Sequence, residues 1–406
     1  MAISSASKPS VATQKLAELP KEGKFGEFGG QFVPEILMPA LRALEHDYLA
    51  IRAQARFYNE LKSLRADYCG RPTPLYLAQR LTEHAGGARI FLKREDLLHG
   101  GSHSINNALG QALLARELKR QRIICATGSG EHGLSTAIAC ALVGLQAEIY
   151  MGAADIERQK MTVEQMKLLR AKVHPVTRGS QTLKDATNEA LRDWVTHVKE
   201  TYYLIGSSVG PHPYPMIVRD FQRVIGDEIK GQLLRREQRL PDLLVAAVGQ
   251  GGSAIGTFFP FVQDEKVRFL GVEAAEAASL TQGTVGVLHG AKTYLLQDEH
   301  GQVQPTRSLA AELDYAAVGP EHAFYKKSGR AEYIAVSSDE AFEGFRLLAE
   351  LEGILPALEA AHAIYAGVQR AQKLKRDQIV VITLSGRGEK DLRLYYDRQQ
   401  LSGQAI

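Results

Sequence analysis

Apolar residues along this chain fall into a repeating order: a short β-rich run, a glycine loop, then a stretch whose apolar positions recur at helical spacing. The order begins after Gly70-Arg71-Pro72-Thr73-Pro74-Leu75 and predicts parallel sheets covered by helices. Ahead of it, residues 1–25 are polar and weakly patterned, which predicts a mobile arm. The spacing then predicts one helical run from about Pro34 to Ser63. Three units matter most. Arg122 to Ala126 runs into Thr127-Gly128-Ser129-Gly130-Glu131-His132-Gly133 and an Ala-rich helix; Leu243 to Val248 runs into Gly249-Gln250-Gly251-Gly252-Ser253; Gln378 to Leu384 runs into Ser385-Gly386-Arg387-Gly388. Each sets a glycine loop at the carboxyl end of a strand, where open α/β sheets bind ligands. Glycine lets backbone N–H groups approach an anion, and the N-terminus of the following helix favours negative charge. Several such loops in one chain predict a cleft between two α/β halves. No repeat or low-complexity segment interrupts them.

Composition narrows the function classes. The 406 residues suffice for one large domain or two medium ones. They carry 49 Lys and Arg against 46 Asp and Glu, a formal charge of +3, with the basic residues scattered among the acidic ones. Nothing in that distribution favours a polyanion, so nucleic acid is not an expected partner. Cys69, Cys125 and Cys140 are far apart, which leaves no disulfide framework or Cys-x-x-Cys metal site and fits a reducing cytoplasm. The segment Met1 to Lys8 lacks the apolar core of a signal peptide, and no apolar run approaches the roughly 20 residues that span a bilayer. Neither export nor membrane insertion is expected.

Gly128-Ser129-Gly130-Glu131-His132-Gly133 matches G-x-G-x-x-G between a strand and a helix, the dinucleotide-binding fingerprint. That fingerprint needs an acidic residue about 20 positions on, closing the next strand. The nearest candidate, Glu148, lies inside the run Ala147-Glu148-Ile149-Tyr150-Met151, so a nicotinamide cofactor is not expected. His99 and His103 have no third metal ligand beside them, and no metal is expected either.

Longer strings carry a family resemblance. They include Phe25-Gly26-Glu27-Phe28-Gly29-Gly30-Gln31-Phe32-Val33-Pro34-Glu35, Leu92-Lys93-Arg94-Glu95-Asp96-Leu97, Ile105-Asn106-Asn107-Ala108-Leu109-Gly110-Gln111-Ala112 and Val209-Gly210-Pro211-His212-Pro213. The later half adds Gly286-Val287-Leu288-His289-Gly290, Leu313-Asp314-Tyr315, Val318-Gly319-Pro320-Glu321-His322 and Leu384-Ser385-Gly386-Arg387-Gly388. In this order, from about Gly23 to Leu394, the chain resembles the β subunit of tryptophan synthase. One gap of several residues follows Gly271-Val272-Glu273-Ala274-Ala275, where the family has a longer glycine-containing loop. The resemblance implies fold type II of the pyridoxal phosphate (PLP) enzymes: α/β, two domains each with a mainly parallel twisted sheet flanked by helices, and an active-site cleft between them. On that pattern residues 26–69 and 103–221 form the N-terminal domain, and 70–102 and 222–406 the C-terminal one. A homodimer is implied as well, with room for an α-like partner subunit.

The family's chemistry is β-replacement, in which PLP held on a lysine accepts serine, water is lost, and indole adds. Lysine is needed because only a primary amine forms the imine, passes it on and moves the α-proton. Where the family reads His-Thr-Gly-Ala-His-Lys-Ile-Asn-Asn, this chain has His99-Gly100-Gly101-Ser102-His103-Ser104-Ile105-Asn106-Asn107, so Ser104 stands at the lysine's place. The family's catalytic glutamate is matched by Ala126, a loss worth ~10²–10⁴ in rate for such a group. The family's phosphate cup, Gly-Gly-Gly-Ser-Asn, has become Gly249-Gln250-Gly251-Gly252-Ser253. Covalently held PLP is therefore not expected, although backbone N–H groups of that loop leave weak non-covalent PLP or phosphate binding open.

Other matched positions survive. Lys184, Asp314, Glu359 and Ser385 stand where the resemblance expects them, and the family's carboxylate-binding loop persists as Thr127, Gly128, Gly130 and His132, with Ser129 in it and Glu131 in place of Gln. An inward-facing Glu131 would repel an anionic ligand and favour a cationic or donor-rich one. Ser104 reads as a polar filler, a proton relay or a nucleophile; adjacency alone does not let His103 activate it. Glu131 reads as a loop-stabilising carboxylate or an acid/base group, and Lys184, Asp314 and Glu359 as a domain-holding network or as ligand contacts. Ser385 also fits a role within its own glycine turn. The implied function is a repurposed, PLP-independent enzyme of small-molecule metabolism with an amino-acid-like or aromatic substrate, its candidate catalytic groups being Ser104, His103, Glu131, Lys184 and Asp314. The alternatives are a non-catalytic partner subunit, or residual β-replacement using non-covalent PLP or another lysine such as Lys93 or Lys184.

Overall fold

The computed structural model describes residue 20 and residues 22–401. Most of the expected arm, 1–25, lies outside the described residues; its last two, Lys24–Phe25, form a strand paired with Phe28–Gly29.

Ile379–Leu384 is five aliphatic residues and a threonine, buried at all six positions, the composition of a strand covered on both faces. It sits within a six-stranded sheet in the order Glu332–Val336, Arg268–Ala274, Leu243–Ala247, Ile379–Leu384, Arg89–Arg94, Leu75–Leu77. All neighbours run parallel except the edge pair Leu75–Leu77 and Arg89–Arg94. Side chains alternate across a strand, so this register sorts them into two cores. Leu92, Val245, Val272 and Ile382 pack with Ala360, Ala363 and Ile364 of the helix Leu358–Gln372. Phe91, Leu244, Phe269 and Val381 pack with Ile225, Ile229 and Leu233 of the helix Val224–Glu237.

A second, wholly parallel sheet runs Lys172–Val176, Gln146–Gly152, Arg122–Thr127, Thr201–Tyr203. Its core also gathers the helices near the N-terminus. The single run expected from Pro34 to Ser63 is divided into the helices Met38–Arg52 and Ala55–Asp67, with Gln54 extended between them. The bend brings Leu41, Leu44 and Tyr48 from one segment, and Phe57 and Leu61 from the next, onto one apolar cluster with Leu109 and Phe221. A straight helix of that length, roughly 45 Å, would carry its two ends apart.

The helix Ser104–Glu117 positions the site. Residues 104–115 are all buried, as expected of an element enclosed on every side, and its polar groups are satisfied internally: the Asn107 and Gln111 amides donate to the Ile205 carbonyl at 2.9 and 2.7 Å. Just before its first turn, the His103 N–H donates to the Ser385 carbonyl at 2.9 Å, which ties this helix start to the end of a central strand of the other sheet. Among the described residues no helix is long and apolar enough to cross a membrane, and no group of three His, Cys, Asp or Glu side chains could hold a metal.

Candidate functional site

The carboxyl ends of Arg122–Thr127, Leu243–Ala247 and Ile379–Leu384 open onto one cavity of about 90 Å³. Its wall brings together His103, Ser104, Glu131, His132, Glu359 and Ser385 with the whole of the 249–253 loop. Thr127, Gly128, Ser129 and Gly130 are not on the wall, and neither are Lys184 and Asp314. Leu183 lines the cavity, and the next residue along a helix is turned about 100° away, which takes Lys184 off it. Asp314 is buried and accepts the Ser308 N–H at 3.0 Å. It braces that loop instead of facing a ligand.

Ser104 opens its helix with a hydroxyl on the cavity, while its N–H donates to Ser102 Oγ at 3.2 Å. Its neighbour His103 does not pair with it: Gln222 donates its amide N–H to His103 Nδ1 at 3.0 Å, and burial pushes the imidazole down to about 4, so it is neutral. Burial likewise holds His132 near 4. His132 Nε2 lies 3.1 Å from the Leu204 carbonyl and must carry the proton to bond it. Nδ1 is then an acceptor, buried and without a partner.

Carboxyl groups set the character of the rest of the wall. Glu131, Glu312 and Glu359 line the cavity, and among the described residues no lysine or arginine does. Glu131 is pressed against the opposite loop: a Cβ on Gly386 would fall 2.4 Å from its Oε1, so glycine is what permits that approach. Burial pushes Glu131 well above its ordinary value; Lys390 opposes this and Glu359 and Glu312 reinforce it. Glu359 behaves differently. Burial opposes its ionisation, yet the Lys390 ammonium 2.9 Å away overrides that and holds it below its ordinary value. Lys390 also donates to Asp391 at 2.8 Å.

Glu312 is the main residue that sequence reasoning missed. Its Oε1 accepts from Thr127 Oγ1 at 3.2 Å, Gly128 N at 3.2 Å, Ser129 N at 3.1 Å and Ser129 Oγ at 3.0 Å. The loop expected to hold a ligand's carboxylate thus holds the chain's own. Burial and Glu359 raise the Glu312 carboxyl above its ordinary value, against the pull of those donors. No local signal could have found this contact, because Thr127 and Glu312 are 185 positions apart. His289 and Tyr315 were also unassigned, although both fall in strings that carry the resemblance. They line the cavity hydrogen-bonded to each other, His289 reaching Asn188 at 2.9 Å, and burial lowers His289 to about 4. On the 249–253 loop the Gln250 carbonyl accepts from Ser208 Oγ at 2.6 Å. The Gly251 carbonyl accepts from His322 Nε2 at 2.8 Å, and a Cβ on Gly251 would clash with that ring at 2.3 Å.

A family model described as "Pyridoxal-phosphate dependent enzyme" matches residues 67–386. Among solved structures, the chain is similar to a threonine deaminase from T.th., with a TM-score of 0.63 at 21% identity over 82% of this chain and 98% of that one. At that identity the likeness is one of fold, the α/β arrangement of parallel sheets flanked by helices found in fold type II.

Proposed function

Because the chain belongs to the pyridoxal-phosphate dependent enzyme family, we propose that it is a member whose cleft has exchanged Schiff-base chemistry for acid/base chemistry on a small amino-acid-like or aromatic molecule. The observation that carries this reading is the absence of lysine from the cavity wall among the described residues. A cofactor aldehyde is held by imine formation with a primary amine, and Ser104 offers a hydroxyl. Two lysines are already committed to carboxylates. Lys93 is 0% exposed and donates to the Thr73 carbonyl, Glu228 and Gln232, and Lys390 serves Glu359 and Asp391. A phosphate entering the cavity would also face Glu131, Glu312 and Glu359, with no lysine or arginine among the described residues on the wall to receive it. Covalently bound PLP does not fit these residues. The resemblance to the tryptophan synthase β subunit, with Ser104 at the lysine's place, agrees.

What remains suits proton transfer. Environments that push two carboxyls in opposite directions mark an acid and a base. Glu131, raised, holds its proton and is the donor; Glu359, lowered, is the ionised partner that stabilises developing positive charge. Neutral His103, fixed by Gln222, orients the substrate beside Ser104. The test begins with the purified protein, which should lack an aldimine absorption band and retain the mass of the bare chain after borohydride treatment. A borohydride-stable PLP adduct on any lysine would overturn the reading. With a substrate identified by metabolite capture, Glu131→Gln should lower turnover by ~10²–10⁴. Ser104→Lys combined with Ala126→Glu should restore PLP binding.

A further inference from the structure

Backbone N–H groups at Gly128 and Ser129 converge with two hydroxyls on a single point, an arrangement suited to one carboxylate oxygen. Glu312 fills that point, so an incoming carboxylate finds its natural cradle taken and meets Glu131 and Glu359 besides. Lys390 does not relieve this, because its ammonium is engaged by Glu359 and Asp391. The cavity wall also carries Leu183, Leu191 and Tyr203.

We propose, building on the PLP-independent reading above, that the ligand of this site is an amine with no adjoining carboxylate: an alkylammonium on an apolar or aromatic body. Its ammonium lies against Glu312 and Glu359 and donates to the carbonyl oxygen of the protonated Glu131, while its body packs on Leu183, Leu191 and Tyr203. Glu312 is the specificity-determining residue, standing in for the carboxylate that the ligand lacks.

Calorimetric titration of the full chain with phenethylamine, phenylalanine and 3-phenylpropanoate tests this, since the three probes share one ring and differ only in the charged groups. Phenethylamine should bind at least tenfold more tightly than phenylalanine, and 3-phenylpropanoate should not bind. Glu312→Gly should empty the cradle and strengthen phenylalanine binding at least tenfold, whereas the isosteric Glu312→Gln should weaken phenethylamine severalfold. Phenylalanine binding the unaltered chain as well as the amine, no binding of the amine, or an unchanged preference in both variants would each overturn the proposal. Mass analysis of the same sample separates the two readings. An adduct-free protein that prefers phenylalanine sinks this inference alone, while a PLP adduct with the amine preference intact sinks only the cofactor reading.

Discussion

In one buried cluster Arg71 and Lys93 face Glu95 and Glu228; in another, Glu131, Glu312, Glu359 and Asp391 share the single cation Lys390. The first is balanced in charge. Arg71 pairs with Glu95 and, at 2.7 Å, with Glu228; Lys93 reaches Glu228 at 2.6 Å; Thr73 Oγ1 and Asn106 Nδ2 donate to Glu95 at 2.7 and 3.0 Å. Burial alone would raise Glu95, but Arg71 and Lys93 hold it below its ordinary value. The second is acidic on balance and two of its glutamates are pushed toward the protonated form. Closed charge networks hold backbone in place, and open ones collect at sites that a ligand or a proton completes. Hydrogen bonds from Asn106 to Gln222 and from Gln222 to His103 run from the closed cluster to the cavity wall.

The largest effect is expected where the closed cluster is broken. Glu95→Ala leaves Arg71 and Lys93 one carboxylate short and should cost about 3–5 kcal/mol in urea unfolding. A loss under about 1 kcal/mol would mean that the cluster is not the brace described. Lys390→Met should cost less, about 2–3 kcal/mol, because it removes charged hydrogen bonds from a group that is not fully enclosed. Phenethylamine should stabilise this variant more than the unaltered chain, by supplying the missing cation. Equal thermal shifts in the two would contradict a shared electrostatic site.

The smallest effect concerns pH. Glu131 has a raised value in the folded chain, so its contribution to stability is fully present below about pH 4.5, its ordinary value, and is lost as pH rises through the folded value. Thermal midpoints measured from pH 4 to 8 should therefore fall less steeply for Glu131→Gln, which cannot ionise. Parallel curves for the two proteins would show that Glu131 is ionised throughout and is not the proton donor.

Much of this molecule is legible from local pattern. The aliphatic runs at Leu243–Ala247 and Ile379–Leu384, each closed by glycines, announced parallel strands ending at a cleft, because alternation and composition report which faces of one element are buried. The same reasoning located the 249–253 loop at that cleft, whereas Ser104, Glu131 and Glu359 were singled out by the family resemblance; all line the cavity. Other features depended on how separate elements are set against one another: the bend at Gln54, the turning of Lys184 off the wall, the use of Asp314 as a loop brace, and above all the seating of Glu312 in the 127–129 loop. A segment's pattern encodes its own buried face, but a contact between two loops is set by the relative placement of the elements that carry them. That placement exists only once the chain has folded, and it seats the Glu312 carboxyl in the 127–129 loop beside the cavity.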